Sequence, residues 1–259
     1  MLHRQESTGL VVITQPTHSW VAGCIARAWG NEQFGSFSPY EEVCLGAQQH
    51  DIGWTVWENT PTLNFKTGYP HNFMELPSAI HTRLWSGAKH LAMPFGRYAT
   101  LLVSLHGTGL FERFRHWQQS PESSRLVNAY LEQEYAFQNQ LIASLQVDSH
   151  YATDATPEQI QRNRTLVAIW DMLSLAVCMG LHEPKQFEQV PTASGETALT
   201  LTPLDDNLVE VSPWAFRCDR VTLVYEGRII TEKFTDETTM RDALTNAEWV
   251  TFTNILIPA

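Results

Sequence analysis

Positive charge is scarce in this sequence. Lysine and arginine together number 17 in 259 residues, against 28 aspartate and glutamate residues, and the formal charge is −11. No cluster of basic residues offers the positive stripe that the backbone of a nucleic acid requires. We therefore expect no DNA or RNA partner, and we expect a small-molecule substrate instead.

Long apolar runs are absent as well. The run at residues 10–13 is much shorter than the roughly 20 residues of a membrane span, and the residues before it are mostly polar. The sequence therefore predicts neither a signal peptide nor a membrane segment, and we expect a cytoplasmic protein. No feature of the sequence indicates an oligomeric state.

Cysteine is rare, and no two cysteines have the Cys-x-x-Cys spacing of a metal or redox site. Wide separation and mostly apolar neighbours favour buried free thiols over disulfides or zinc ligands at Cys24, Cys44, Cys178 and Cys218. Hydrophobic material is plentiful, at 43% of residues with 11% aromatic. This is enough for a core in one large domain or two small ones.

Helical periodicity dominates up to about residue 180, and β-rich segments follow from about residue 197. The predicted helices span residues 17–29, 38–51, 77–93, 97–117, 121–146 and 157–179. We predict a mainly α fold: a helical domain at residues 1–190 and a small antiparallel sheet at residues 191–259 packed on it. A buried strand at residues 9–14 is a candidate to join that sheet. Glu226-Gly227 indicates a hairpin turn within it.

One predicted helix ends on an adjacent histidine and aspartate, His50 and Asp51. Its start is well marked, because Ser38 is a good N-cap, Pro39 suits the first helical position and Glu41 completes a capping box. The helix therefore delivers both side chains from its last turn, as a helix that presents ligands does.

A second informative residue is Asp171, in the predicted helix at residues 157–179. Val167 and Leu175 lie on its face of the helix, so its carboxylate is expected in apolar surroundings, where an unpaired charge costs several kcal/mol. Asp171 therefore needs a cation. Arg162 and Arg164 are candidates, although both are too distant for direct pairing along the helix, and a metal ion is the alternative.

The remaining histidines supply further candidate ligands. His18 lies in the first turn of its predicted helix, and His81 and His106 lie on or beside apolar helix faces. Each of these positions is also typical of a histidine that is hydrogen-bonded within a core. His71 and His90 are rivals for the same roles.

The order His18, His50-Asp51, Asp171 resembles the defining motif of the HD-domain superfamily of helical metal-dependent phosphohydrolases. More narrowly, the segments 13–18, 28–31, 50–54 and 102–106 resemble a family of uncharacterised bacterial proteins with an HD-like core, over most of residues 8–180. This resemblance implies an HD-domain-like helical bundle with a metal site.

Two imidazoles and two carboxylates form a mixed nitrogen and oxygen site that suits Mn, Fe, Zn, Co or Ni, with open positions for water or substrate. The resemblance implies one or two divalent transition metal ions, and two further histidines complete the set in members with two. The expected ligands are His18, His50, Asp51, Asp171, His81 and His106. Asp51 then bridges the two ions and is the expected catalytic residue.

These expectations favour a metal-dependent hydrolase of a small phosphorylated or nucleotide-like metabolite, which acts through metal-activated water. By their location, the candidate substrate-binding residues are Arg83, Lys89, Arg97 and Trp54. One alternative is a diiron oxygenase, because the six-ligand order also resembles myo-inositol oxygenase. Another is a non-catalytic ligand-binding protein that has kept the same core.

Overall fold

The structure is a computed structural model that describes residues 1–259, with eight α-helices and nine strands. The helices are α1 (Gln15–Ala28), α2 (Tyr40–Gln49), α3 (Thr55–Glu58), α4 (Ser78–Ala92), α5 (Arg97–Arg113), α6 (Pro121–Gln146), α7 (Pro157–Cys178) and α8 (Glu237–Asn246). The strands are β1 (Leu2–Glu6), β2 (Gly9–Ile13), β3 (Leu63–Asn64), β4 (Tyr69–Pro70), β5 (Lys185–Pro191), β6 (Glu196–Pro203), β7 (Leu208–Ser212), β8 (Val221–Ile230) and β9 (Trp249–Pro258).

Seven of the strands form one sheet, in the order β1-β2-β8-β9-β7-β6-β5. All neighbours are antiparallel except β7 and β9, which run parallel. Strands from residues 2–13 and 185–258 thus share one sheet, in which β2 pairs with β8. The short strands β3 and β4 form a separate pair.

The predicted fold class is therefore wrong. The chain is 51% helical and 22% strand, and its sheet is a curled seven-stranded layer. It is neither all-α nor a helical bundle with a small sheet appendage. The size of the sheet was underestimated in part because the polar sequence of β1 gave no strand signal. The strand predicted at residues 9–14 does join the sheet, as β2.

The helices cover the sheet in layers. α1 and α7 pack against each other and against strands of the sheet, while α2 and α5 pack on them from the other side. One core cluster of 41 buried residues includes side chains from both the sheet and these helices, such as Val11, Leu102 and Leu223. None of the helices combines the length and the apolarity needed to cross a membrane.

Several helices begin where the sequence predicts. Thr156 caps α7, since its side chain accepts a hydrogen bond from the backbone N–H of Gln159. The cap predicted for α2 is wrong: α2 begins at Tyr40 after Pro39, with no side-chain cap. The carbonyl of Ser38 instead accepts hydrogen bonds from side chains of α7, so the α2 start is fixed by tertiary contacts. All four cysteines are free, as predicted, but only Cys44 and Cys178 are buried: Cys24 is partly buried and Cys218 is exposed, contrary to the expectation.

Candidate metal centre

Four helices bring five polar side chains together in the interior. His18 comes from α1, His50 and Asp51 from the end of α2, His106 from α5 and Asp171 from α7. All five are buried. Because α1, α2, α5 and α7 are the helices that pack directly on one another, the arrangement of the cluster follows from the core packing of the fold.

The hydrogen bonds of His18 fix its tautomer. The hydroxyl of Ser174 donates to the carbonyl of Asp171, so its oxygen must accept from Nδ1–H of His18, which lies 3.0 Å away. In a neutral ring, Nε2 therefore carries the lone pair. This atom faces Oδ2 of Asp51 at 2.7 Å, where a lone pair meets a carboxylate.

His50 is arranged in the same way. Its Nδ1 lies 2.7 Å from the carbonyl of Ala47, which can only accept, so Nδ1 carries the hydrogen. In a neutral ring, Nε2 then presents its lone pair to Oδ1 of Asp171 at 3.3 Å and to Oδ2 of Asp51 at 3.7 Å. It is a fully buried nitrogen with no hydrogen-bond partner.

The charges of the cluster are strongly coupled. Burial lowers the pKa of His50, but the carboxylates of Asp51 and Asp171 outweigh it and raise the pKa to about 9. Burial raises the pKa of both aspartates, yet the histidines, His50 above all, hold each pKa below its ordinary value. Two ionised carboxylates thus face two buried imidazoles, and either added protons or a metal ion can balance their charge.

His106 adds a third imidazole. Its Nε2 lies 3.8 Å from Oδ2 of Asp171, and its ring packs on that of His50 with the centroids 4.5 Å apart. Burial and the neighbouring His50 lower the pKa of His106 to about 4. His106 is therefore neutral at physiological pH and has a lone pair available for a ligand.

The donor atoms fit a divalent transition metal. They form two overlapping sets, His18/His50/Asp51 and His50/His106/Asp171, and within each set they lie within 4.8 Å of one another. Imidazole nitrogen with carboxylate oxygen suits Mn, Fe, Co, Ni or Zn better than Ca. The unpartnered Nε2 of His50, common to both sets, is the best evidence of fit. The hydrogen bonds on the outer nitrogens of His18 and His50 are the kind that orients metal-bound histidines.

The five residues of the cluster differ slightly in their exposure. His18 and His50 have no exposed surface, whereas Asp51, His106 and Asp171 retain 5–6%. The cluster is therefore nearly closed.

The other predicted histidines lie outside both sets. Nε2 of His81 donates to the carbonyl of Phe73 at 3.0 Å. His71 is hydrogen-bonded to Thr62, and His90 is exposed on α4. The expected second pair of ligands, His81 and His106, thus contributes only His106 to the cluster.

The candidate substrate-binding residues are also dispersed. Lys89 forms an ion pair with Glu134 and Arg97 with Asp148, so neither cation meets an anion without breaking that pair. Arg83 is exposed on α4 without an ion pair. Trp54 is buried, and its ring packs edge-on against His81 with the centroids 5.2 Å apart.

Sequence reasoning missed Ser174 as a functional residue. The hydroxyl of Ser174 fixes the orientation of the His18 ring. The sequence shows only that Ser174 lies three residues after Asp171. A polar residue on the same buried helix face as a candidate ligand was the available signal. The orientation of the ring itself depends on how α1 packs against α7.

Fold and site together define an α+β protein with a buried histidine and aspartate cluster between its helices and one seven-stranded sheet. The chain belongs to the DUF3891 family, described as a protein of unknown function, whose profile matches residues 1–232. An uncharacterised family was expected, and this match fits it. The assignment to the HD-domain superfamily is wrong, because the matching family is a different one and the fold contains the large sheet. Comparisons with curated proteins and with solved structures find no significant match.

Proposed function

We propose that this protein is a metal-dependent hydrolase whose centre is formed by His18, His50, Asp51, His106 and Asp171. One observation carries the proposal. Nε2 of His18 and of His50 both point at carboxylate oxygens, while both Nδ1 atoms are held by protein acceptors. A divalent cation between these atoms would be held by both lone pairs and both carboxylates, in the place that ring protons take without it.

A bound divalent transition metal ion would act as a Lewis acid and lower the pKa of a coordinated water molecule. The protein residues have distinct roles around it. Ser174 and the carbonyl of Ala47 hold two imidazole rings in the ligating tautomer. Asp51 is the proposed catalytic residue, because its Oδ1 makes no hydrogen bond within the protein and can accept a proton from the reacting water.

The proposed substrate is a small phosphorylated or nucleotide-like metabolite. The scarcity of basic residues argues against a nucleic acid, and the nearly closed cluster favours a small molecule. We also propose a cytoplasmic location. The number of ions is proposed as one or two, since the two sets of donor atoms share His50.

The decisive experiment measures metal content and hydrolysis in the same samples. Wild type, Asp171→Asn and the matched control His90→Gln are stripped, reloaded with Mn²⁺ or Zn²⁺ and measured by elemental analysis. We expect wild type and His90→Gln to bind metal equally, because His90 is exposed on α4. Asp171→Asn should bind about 100-fold more weakly or worse, since outer-shell partners alone are worth about 10–100-fold.

Hydrolysis is then measured with a panel of chromogenic phosphomonoesters and phosphodiesters. We expect release that requires metal, stops with a chelator and is lost in Asp171→Asn. A wild-type protein that binds no metal contradicts the centre itself. Metal binding without hydrolysis of any ester in the panel contradicts the hydrolase.

A second candidate function, an iron-dependent oxygenase, rests on one specific observation. Each donor set contains two histidines and one aspartate, the composition of the facial triad of non-haem iron oxygenases. Dioxygen uptake by the Fe²⁺-loaded protein with a panel of small metabolites, absent from the Zn²⁺-loaded protein, would select this function over hydrolysis.

A further inference from the structure

We infer that a cleft on the sheet, outside the histidine and aspartate cluster, binds a small carboxylate that carries an apolar group. The cleft lies where β2, β8 and β9 meet the start of α1, the end of α3 and α8, and its lining includes Val12, Thr17, Glu58, Arg228, Leu244 and Trp249. No residue of the cluster lines it, so the inference does not depend on the proposed function.

The size of the cleft fits a small organic molecule. Its volume is about 170 Å³. An engineered protein cavity of about 150 Å³ is large enough to bind benzene. The cleft therefore has space for a ligand of about the size of benzoate.

The floor of the cleft is a row of three residues on neighbouring strands. Val12 of β2 pairs with Arg228 of β8, and Arg228 pairs with Trp249 of β9. Residues directly opposite each other in an antiparallel pair point to the same face of the sheet, so these three side chains lie side by side. The guanidinium carbon of Arg228 lies 4.5 Å from the centre of the Trp249 ring. The row thus places a cation beside an aromatic side chain.

The walls of the cleft combine apolar and polar side chains. Helix α8 presents Arg241, Leu244 and Thr245 from one face, since they are three and four residues apart. Leu244 belongs to a buried apolar cluster that also contains Met1 and Val12, and all three line the cleft. Apolar walls with a few polar groups are typical of small-molecule sites.

Arg228 is the cation of the cleft that has no partner of opposite charge. Its side chain is partly buried, and Nη1 donates a hydrogen bond of 2.6 Å to the backbone carbonyl of Leu244. It forms no ion pair, whereas Arg241 pairs with Glu237. A guanidinium has five N–H donors in a planar fork, so Arg228 keeps donors for the two oxygens of a carboxylate.

The acidic side chains of the cleft leave Arg228 unpaired. Glu58 is buried, and its carboxylate lies 3.0 Å from the amino group of Met1 and accepts a hydrogen bond of 2.9 Å from the backbone N–H of Gln15. Glu226 lies two residues before Arg228 on the same face of β8, but it is exposed and forms no ion pair. Because water solvates Glu226 while burial removes water from Arg228, an anionic ligand gains more from this site than a cationic one.

The test titrates benzoate and follows the backbone amide of Gly227, which lines the cleft, by NMR. Benzamide and benzylamine are the neutral and cationic probes of similar size. The variants are Arg228→Gln and the control Arg220→Gln, at an exposed arginine just before β8. We expect benzoate to bind wild type and Arg220→Gln equally, and Arg228→Gln about tenfold more weakly, because charge-assisted bidentate bonds are lost. Benzamide should bind wild type about tenfold more weakly than benzoate for the same reason.

A second variant keeps the test decisive if Arg228→Gln does not fold. The side chain of Trp249 is 58% exposed, so Trp249→Ala should fold and should bind benzoate about threefold more weakly or worse, since an apolar contact is lost. A chelator should leave the affinity of wild type for benzoate unchanged, because no cluster residue lines the cleft.

The outcomes separate this inference from the proposed function. It is overturned if wild type binds no benzoate, if neither Arg228→Gln nor Trp249→Ala weakens binding, or if benzamide binds as tightly as benzoate. Tighter binding of benzylamine would assign the cleft to a cation and overturn it too. Loss of benzoate binding with a chelator would place the carboxylate at the metal centre, whereas a wild-type protein without bound metal overturns only the proposed function.

Discussion

At the scale of single residues, the cluster depends on which ring nitrogen carries the hydrogen. Nδ1 of His18 is bound to Ser174 and Nδ1 of His50 to the carbonyl of Ala47. The backbone carbonyl is fixed by α2, but the hydroxyl of Ser174 can be removed by mutation. Ser174 is therefore the position where orientation can be separated from ligation.

Ser174→Ala should weaken metal binding about 10–100-fold with all proposed ligands in place. Without the hydroxyl, the hydrogen of the His18 ring moves to Nε2, where it can bond to Asp51 and occupies the ligating lone pair. Metal titration measures the affinity, and long-range proton–nitrogen NMR correlations report the tautomer. Ser86→Ala, at a partly exposed position of α4, is the control. An unchanged tautomer in Ser174→Ala contradicts this role.

The sequence predicts the burial of a residue near a site more readily than it predicts which residue will pair with it. Apolar neighbours at helical spacing indicated that Asp171 is buried, and the structure has it at 6% exposure. The same reasoning chose Lys89 and Arg97 for substrate because they lie near candidate ligands. It could not reveal their pairing with Glu134 and Asp148, which come from α6 and the residues just after it, because such pairs form only when helices pack.

At the scale of elements, the approach of α2 to α5 positions His50 beside His106. Gly46 lies at this contact, where a Cβ atom would come within 2.7 Å of Cδ1 and 2.9 Å of Cβ of Leu102. In α4, Gly87 has nothing within 4 Å of the same position. The two glycines therefore form a matched pair, one packed and one open.

Gly46→Ala should lower the free energy of unfolding by about 1–3 kcal/mol, because the methyl group overpacks the α2–α5 contact. Gly87→Ala should raise it by about 0.5–1 kcal/mol, since alanine favours the helix and meets no obstacle. Chemical denaturation of both variants checks the signs. If Gly46→Ala were as stable as Gly87→Ala, the close packing of α2 on α5 would be contradicted.

The elements also show where local signals mislead. Glu226-Gly227 predicted a hairpin turn, yet β8 runs unbroken through both residues. The reason is packing, because a Cβ atom on Gly227 would lie 2.5 Å from Cγ1 of Val11 in the neighbouring strand β2. A glycine that permits close strand contact and a glycine that permits a turn look alike in sequence.

At the scale of the whole molecule, the sheet and the helices share one core. The cluster of 41 buried residues extends from β2 through α1 and α7 to α5, and the proposed ligands lie on helices of that same core. Most helix positions followed from the sequence, whereas the sheet order did not, since β2 pairs with β8 across more than 200 residues and β1 pairs in turn with β2. A ligand bound at the cluster therefore acts on the stability of the entire fold.

Metal removal should lower the stability of wild type and leave Asp171→Asn almost unaffected. A ligand at 100 times its dissociation constant stabilises a folded protein by about 2.7 kcal/mol, or about 5–10 °C in melting temperature for a chain of this size. Without metal, the protonated imidazole of His50 pairs with the carboxylates of Asp51 and Asp171, so Asp171→Asn should already be less stable than wild type. With metal, the difference in stability between the two proteins should grow by about the stabilisation that the metal supplies.

This growth of the difference, measured by calorimetry with metal and with a chelator, distinguishes a ligand from a structural ion pair. If Asp171 served only to pair with His50, replacing it would leave a buried imidazole without its partner and destabilise the protein in both conditions by a similar amount. His90→Gln should follow wild type throughout, because its exposed side chain touches neither the cluster nor the core. A difference in stability that is the same with and without chelator would therefore assign Asp171 to the core and not to a metal.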